Sequence, residues 1–315
     1  MINFLGSLRT SLKNLPLATP LRYREWLKLA RREEQGVKNF ADVLGVPMLS
    51  FSSIARLGEK FRDKPFYIFG NGSSVNSLTE SDFEEIRNGV SVGTNAWPLH
   101  PFVPDFYSFE FSRHSAEPDP ELAFLVKRAE SNFQLAPSGA FLFLRPGLPA
   151  GLQAVVPLAL EQGGSSFLYG RSNFFSTTPR GLEADLETIL GEIGRGSLSG
   201  SVLPDNGASV IRMIFLALIA GFREIVLLGV DLNDNPYFWY DRRFFARYGD
   251  FRKQSSRKPD DSTLTESTSE RPFPTSVFLG QLAASASRIL GARIAIGNAE
   301  SALAELLSVR PFSNS

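Results

Sequence analysis

The chain has 315 residues, with 33 Lys and Arg balanced by 33 Asp and Glu, 43% hydrophobic residues and 21% charged residues. This is the composition of a globular protein with chain enough for a sizeable core, and its balanced charge gives no overall field to recruit nucleic acid. Cysteine is absent, which excludes a disulfide framework, a thiolate nucleophile and a cysteine zinc site, and no apolar run is long enough to span a bilayer.

Residues 1–17 lack the apolar core of a signal peptide, so the expectation is a cytoplasmic protein. Residues 1–64 read as a helical extension ahead of a domain covering 65–310. In 21–34, Arg22, Arg24, Lys28, Arg31 and Arg32 face three acidic residues, while Tyr23, Trp26, Leu27 and Ala30 recur at helical spacing. An amphipathic helix with a basic face is expected. Its use is either peripheral contact with an anionic inner-membrane surface or packing of the apolar side on the parent domain.

The first strand, Phe66–Phe69, runs into Gly70-Asn-Gly-Ser-Ser74 and then a polar helix start. Strand, glycine turn and helix N-terminus together offer backbone N–H groups and small hydroxyls to a phosphate. The dinucleotide fingerprint fails at Val75, where a third glycine is required, and no Walker sequence occurs. The plain alternative is a tight turn whose glycines supply positive φ.

Further strands are expected at Val90–Thr94, ending at Asn95, and at 106–111, 141–144 and 166–169, each bounded by Pro, Gly or polar residues. A buried helix is expected over 206–221, stopped by Gly221, followed by a nearly all-apolar strand over 224–231. Residues 252–270 hold only Leu264 as a large aliphatic side chain, and so read as a plain loop or as a lid that orders over a ligand. A helix over 275–290 and a strand over 292–296 complete an α/β alternation with a mainly parallel sheet. No internal repeat is present.

Gly70-Asn-Gly-Ser-Ser74, Thr94-Asn95, Asn206-Gly207 and Gly221-Phe-Arg-Glu-Ile-Val-Leu-Leu-Gly-Val-Asp231 occur in this order. Together they resemble the bacterial family 42 sialyltransferases, whose pattern is Gly-Asn-Gly-Pro-Ser, Cys-Asn, Thr-Ser-Gly and Gly-Tyr-Lys-Glu-Ile-Tyr-Leu-Ser-Gly-Ile-Asp. The similarity covers roughly 66–303, is thin between about 112 and 200, and includes Asn298. It implies a Rossmann-like, mainly parallel sheet flanked by helices (a GT-A-like variant) with a helical N-terminal extension. It also implies a divergent member that uses a CMP-sugar donor without a metal or other cofactor. Some members are oligomeric, so a homo-oligomer is among the implied partners, beside a nucleotide sugar and a glycan acceptor.

The resemblance places donor contacts on Gly70, Asn71, Gly72, Ser73, Ser74, Asn95, Asn206, Gly207, Asp231 and Asn298. Across a short gap, Tyr237 falls on the second of two tyrosines that stabilise a departing phosphate, while Asn233 stands at the first. Arg271 stands near the family's general-base histidine; an arginine is a poor base, though it can stabilise a departing phosphate. Either Asp205, Glu270 or His114 takes the acceptor proton, or the donor differs, or the activity is lost.

Inverting transfer needs a base at the acceptor hydroxyl and electrostatic help for the leaving phosphate. No Asp-x-Asp for a metal-bound diphosphate donor occurs; Asp231-Leu-Asn-Asp234 has the wrong spacing. Asp231, at a strand end, either caps backbone N–H groups or meets a ligand. His100, between Leu99 and Pro101, reads as structural, and the run 237–240 reads as core packing or as a stacking surface at a cleft rim. Two functions stand: a glycosyltransferase moving sialic acid or a related sugar from a CMP-sugar to a cell-surface glycan, or a diphosphokinase-like or catalytically silent nucleotide-binding relative.

Overall fold

A computed structural model describes residues 19–44, 47–48, 50–110, 124–125, 128–129, 131–132, 141–145, 165–173, 175–233, 237–244 and 273–312. In chain order they form α1 (Thr19–Leu44), α2 (Phe51–Glu59), β1 (Phe66–Phe69), α3 (Glu80–Arg87), β2 (Val90–Thr94), β3 (Phe106–Glu110), β4 (Phe141–Arg145) and β5 (Ser165–Leu168). There follow β6 (Gly170–Asn173), α4 (Pro179–Gly194), β7 (Val202–Asp205), α5 (Ser209–Ala220), β8 (Glu224–Leu228), α6 (Thr275–Leu290), β9 (Arg293–Ile296) and β10 (Ser308–Val309).

The main sheet has the order β10-β9-β8-β1-β2-β3-β4-β5, and its pairings are parallel. Strands β6 and β7 pair, also in parallel, in a second small sheet. Parallel strands are covered on both faces, which explains why β1 is buried at every position and why β8 reads Glu-Ile-Val-Leu-Leu. The α/β reading, with a mainly parallel sheet flanked by helices and a helix at the N-terminal side, is what the chain builds.

From β1 the chain lays β2 to β5 outward on one side, then returns to lay β8, β9 and β10 on the other. The order therefore reverses between β1 and β8. A crevice beyond the C-terminal ends of two such strands is where open α/β sheets take ligands.

Alternation along β1 divides the core. Phe66 and Ile68 join one apolar cluster with residues of α2, α4, α5 and α6. Tyr67 and Phe69 join another with Phe83 and Ile86 of α3, Trp97, and Phe238. Helix α5 is buried almost throughout and stops at Gly221, whose φ of 87° is the left-handed cap that a side chain would resist.

Helix α1 packs against β6, β7 and α4. Trp26 is buried, with Tyr23, Leu27 and Ala30 against the same cluster, so the helix uses its apolar side on the domain. Arg22 of the basic set turns inward, donating to Asp185 from Nε at 3.0 Å and from Nη2 at 2.7 Å. No described helix is long and apolar enough to cross a membrane.

Several elements differ from expectation. Helix α4 was not anticipated, although Thr178 caps it through Gly181 N–H and Pro179 opens it. The pair β6–β7 was also missed, since Pro204 inside β7 argues against a strand. Helix α5 begins at Ser209 rather than 206, because Asn206 and Gly207 belong to the turn before it. The 252–270 segment, Glu270, Arg271 and His114 lie outside the described residues.

Candidate functional site

The Gly70–Ser74 turn leaves β1 at the switch point and lies against the chain leaving β8. Gly70 N–H donates to Leu228 O at 2.7 Å, and Gly72 N–H donates to Gly229 O at 2.7 Å. Neither Gly70 nor Gly72 has positive φ; Gly72 sits at φ −69°, ψ 154°. Close approach is the reason for both glycines. A Cβ on Gly70 would overlap Gly229 O, and one on Gly72 would lie 2.5 Å from Asp231 Cγ.

Asp231 is buried and closes the crevice. Its Oδ2 accepts the Ser74 N–H at 3.0 Å and its Oδ1 accepts the Ser74 hydroxyl. Its carbonyl accepts Ala302 N–H at 2.9 Å and the Ser301 hydroxyl at 3.2 Å. The capping alternative for Asp231 is thus realised, with a partner far away in sequence. Its carboxylate takes an amide at the start of the 3-10 turn Ser73–Ser77, where sequence alone would place a phosphate.

Tyr237 comes to the same turn. It forms an antiparallel bridge with Gly72, and Phe238 N–H donates to Asn71 O at 2.9 Å. The Tyr237 ring stacks on Trp239 at 4.4 Å between centroids. Asn298 approaches from beyond β9, donating from Nδ2 to Ser74 O at 3.3 Å and to Ser77 Oγ at 3.0 Å. Asp231 and Asn298 are therefore hydrogen-bonded directly to the turn at Ser74, and Tyr237 is held beside it through the Phe238 N–H bond to Asn71 O.

Asn95 and Asn206-Gly207 sit on the neighbouring strand end and helix start. Asn95 adopts φ 50°, a left-handed conformation that asparagine tolerates, and donates from Nδ2 to Ser209 Oγ at 3.2 Å at the start of α5. The Thr94 hydroxyl donates to Phe69 O at 2.8 Å, tying that strand end to β1. Asn206 is fully buried, and its Nδ2 donates to Phe273 O at 3.3 Å ahead of α6.

Two of these asparagines retain an unspent acceptor. Asn71 Oδ1 and Asn206 Oδ1 are buried and have no hydrogen-bond partner among the described residues. An orphaned buried acceptor costs about 1–3 kcal/mol, which an arriving donor recovers.

Asp205 is engaged within the fold. Its carboxylate is buried, accepts Gly207 N–H at 2.9 Å and is paired with the guanidinium of Arg212. Burial of Arg212 lowers its pKa to about 9, so it stays cationic at neutral pH. His100 is structural, as its sequence context indicates. Its Nδ1 accepts Phe102 N–H at 3.1 Å, its ring stacks on Trp97 at 4.4 Å, and burial, helped by Arg243, lowers its pKa to about 3.

Three residues that organise the site were missed from sequence: Ser209, Ser301 and Ala302. Ser209 opens a helix directly after a glycine turn, which is a readable signal. Ser301 and Ala302 act through hydroxyl and backbone bonds to the end of β8, for which the local sequence gives no sign. Among the described residues, no group of three His, Asp or Glu side chains is placed to hold a metal ion.

The class defined so far is a Rossmann-like α/β protein with a glycine turn at its topological switch point. No protein-family model matches the chain, and no curated protein matches it. Among solved structures it is similar to a point variant of the sialyltransferase CST-II in complex with CMP, at 14% identity and TM-score 0.43, over 80% of this chain and 88% of that one. It is likewise similar to CstII described as monomeric and to CST-II in complex with a trisaccharide acceptor and CMP. Each is 14% identical with TM-score 0.41, over 80% of this chain and 88% of the other.

Proposed function

We propose that the chain is a metal-independent glycosyltransferase that holds a CMP-sugar at the C-terminal edge of its sheet and passes sialic acid or a related sugar to a cell-surface glycan. The observation that carries this reading is the pair of unspent buried acceptors, Asn71 Oδ1 and Asn206 Oδ1, at two positions matched to donor contacts. A nucleotide brings ribose hydroxyls and an exocyclic amine, the donors such acceptors need. Tyr237, anchored on Gly72, is the group assigned to stabilise the departing phosphate, with Arg271 assigned the same duty. Gly70, Gly72, Ser73 and Asn298 shape the turn, and Asp231 is assigned to hold it rather than to touch donor.

Binding is tested by thermal denaturation with CMP, CMP-sialic acid and a panel of nucleotide sugars, without added metal. A rise in Tm with a CMP ligand that is lost in Asn71→Ala supports the proposal. No rise with any of them, or the same rise in the variant, overturns it.

A second reading, nucleotide binding without turnover, is favoured by the engagement of Asp205 with Arg212, which withdraws one candidate base. CMP binding without sugar transfer or donor hydrolysis would select it. Stabilisation that needs Mg²⁺ and ATP would select the diphosphokinase-like alternative.

A further inference from the structure

A cavity of about 370 Å³ lies at the opposite, N-terminal edge of the strands. Ser201, just ahead of β7, lines it, as do residues at the start of α2 and at the ends of α4 and α5. Its volume falls within the roughly 300–1,000 Å³ of small-molecule sites. Phe51 and Leu198 give it apolar wall, and Ser50, Ser52, Ser199 and Ser201 bring hydroxyl-bearing residues to it.

Among the described residues, one charged side chain lines the cavity, Glu34 of α1. It is half-buried; Ser201 Oγ donates to its Oε1 at 3.2 Å, and it makes no ion pair among the described residues. No Lys or Arg lines it among the described residues. Ile193, from the last turn of α4, and Ile219, from the last turn of α5, also line it, but carbonyls at both helix ends are spent, Ile193 O on Gly196 N–H at 2.9 Å and Leu218 O on Gly221 N–H at 3.0 Å. The start of α2 also reaches the cavity, and two of its donors are spent. Phe51 N–H goes to Gly200 O at 3.0 Å and Ser53 N–H to Ser50 O at 3.0 Å. A carboxylate without an ion-pair partner among the described residues, beside four hydroxyl-bearing residues and an apolar wall, selects a cation that also carries hydroxyls.

We propose that this cavity binds a small hydroxylated primary amine, of the amino-sugar or amino-alcohol class, with its ammonium group on Glu34. The inference does not depend on the nucleotide reading, because the cavity shares no residue with the Gly70–Ser74 turn. The test uses glucosamine as probe, with glucose and N-acetylglucosamine as controls for the amine, read by thermal denaturation and by saturation-transfer NMR on the full chain. Glucosamine at tenfold its Kd should raise Tm by about 2–4 °C and give saturation transfer, whereas both controls should give neither. The effect should vanish in Glu34→Gln. If that variant does not fold, Ala55→Phe, which fills the cavity from α2, should abolish binding instead. Equal responses to glucose, retention of binding in whichever variant folds, or no response to glucosamine would overturn the proposal.

Discussion

Gly72→Ala tests how the switch point is sealed. The φ and ψ of Gly72 suit alanine, so backbone freedom alone makes the change stabilising by about 0.4–1 kcal/mol. Sterics act the other way. The new methyl would stand 2.5 Å from Asp231 Cγ and 2.9 Å from Gly229 O, so the carboxylate must shift. A shifted Asp231 loses its bonds to Ser74 N–H and Oγ. Hydrogen bonds to a charged group contribute about 1.5–3 kcal/mol each, so a net loss of about 2–5 kcal/mol is expected. Urea unfolding measures it, with Gly36→Ala as the control. Gly36 lies in α1 with nothing within 4 Å of its added methyl, and that change should stabilise by about 0.5–1 kcal/mol. Asp231→Ala removes the obstructing group, so the double variant should be less destabilised than the sum by more than about 1 kcal/mol. A Gly72→Ala protein as stable as wild type, or strict additivity in the cycle, would refute this account.

Arg22→Met leaves Asp185 as a buried, unpaired carboxylate, so a loss of about 3–5 kcal/mol is expected in urea unfolding, most of it recovered in Arg22→Met/Asp185→Leu. His100 has a pKa near 3 when folded and near 6.5 when unfolded. The unfolded chain therefore binds the extra proton, and stability falls as pH drops from 6.5 toward 3 by up to about 1.4 kcal/mol per unit. Although His100→Asn costs ring packing, it should flatten that slope between pH 6.5 and 4.5; an unchanged slope counts against the assignment. Tyr237→Phe should leave the Kd for CMP within about threefold while transfer slows by roughly 10²–10³, measured by titration calorimetry and turnover assays. A tenfold loss of CMP affinity would show instead that the hydroxyl acts in ground-state binding.

The sequence was most legible where one residue pattern permits one structure. A continuous apolar run such as that of β8, bounded by Gly221 and Gly229, can only be a buried parallel strand in this setting, and β1, β2, α5 and α6 were readable for similar reasons. Helix α4 carried the needed period at Leu182, Leu186 and Ile189 behind a Thr-Pro start, but its surroundings gave no frame in which to place it. The Gly-Asn-Gly turn was recognisable as special, yet its glycines serve close approach rather than positive φ. That distinction depends on Gly229 and Asp231, which no local window contains. For the same reason the fate of Asp205 was out of reach, since a carboxylate and an arginine seven residues apart pair only once the turn between them closes.

The tie between Ser74 and Asp231 spans 157 residues, and Asn298 reaches Ser74 across 224. Contacts of such separation incur their loop-closure entropy before they yield any stability, so they form late. During synthesis β1 and its turn emerge long before β8 exists to flank them, leaving an apolar strand edge waiting for its neighbour. Fragments ending before residue 224 should therefore be prone to aggregate. The completed crevice is a product of chain closure, assembled only when the last strands have joined the sheet.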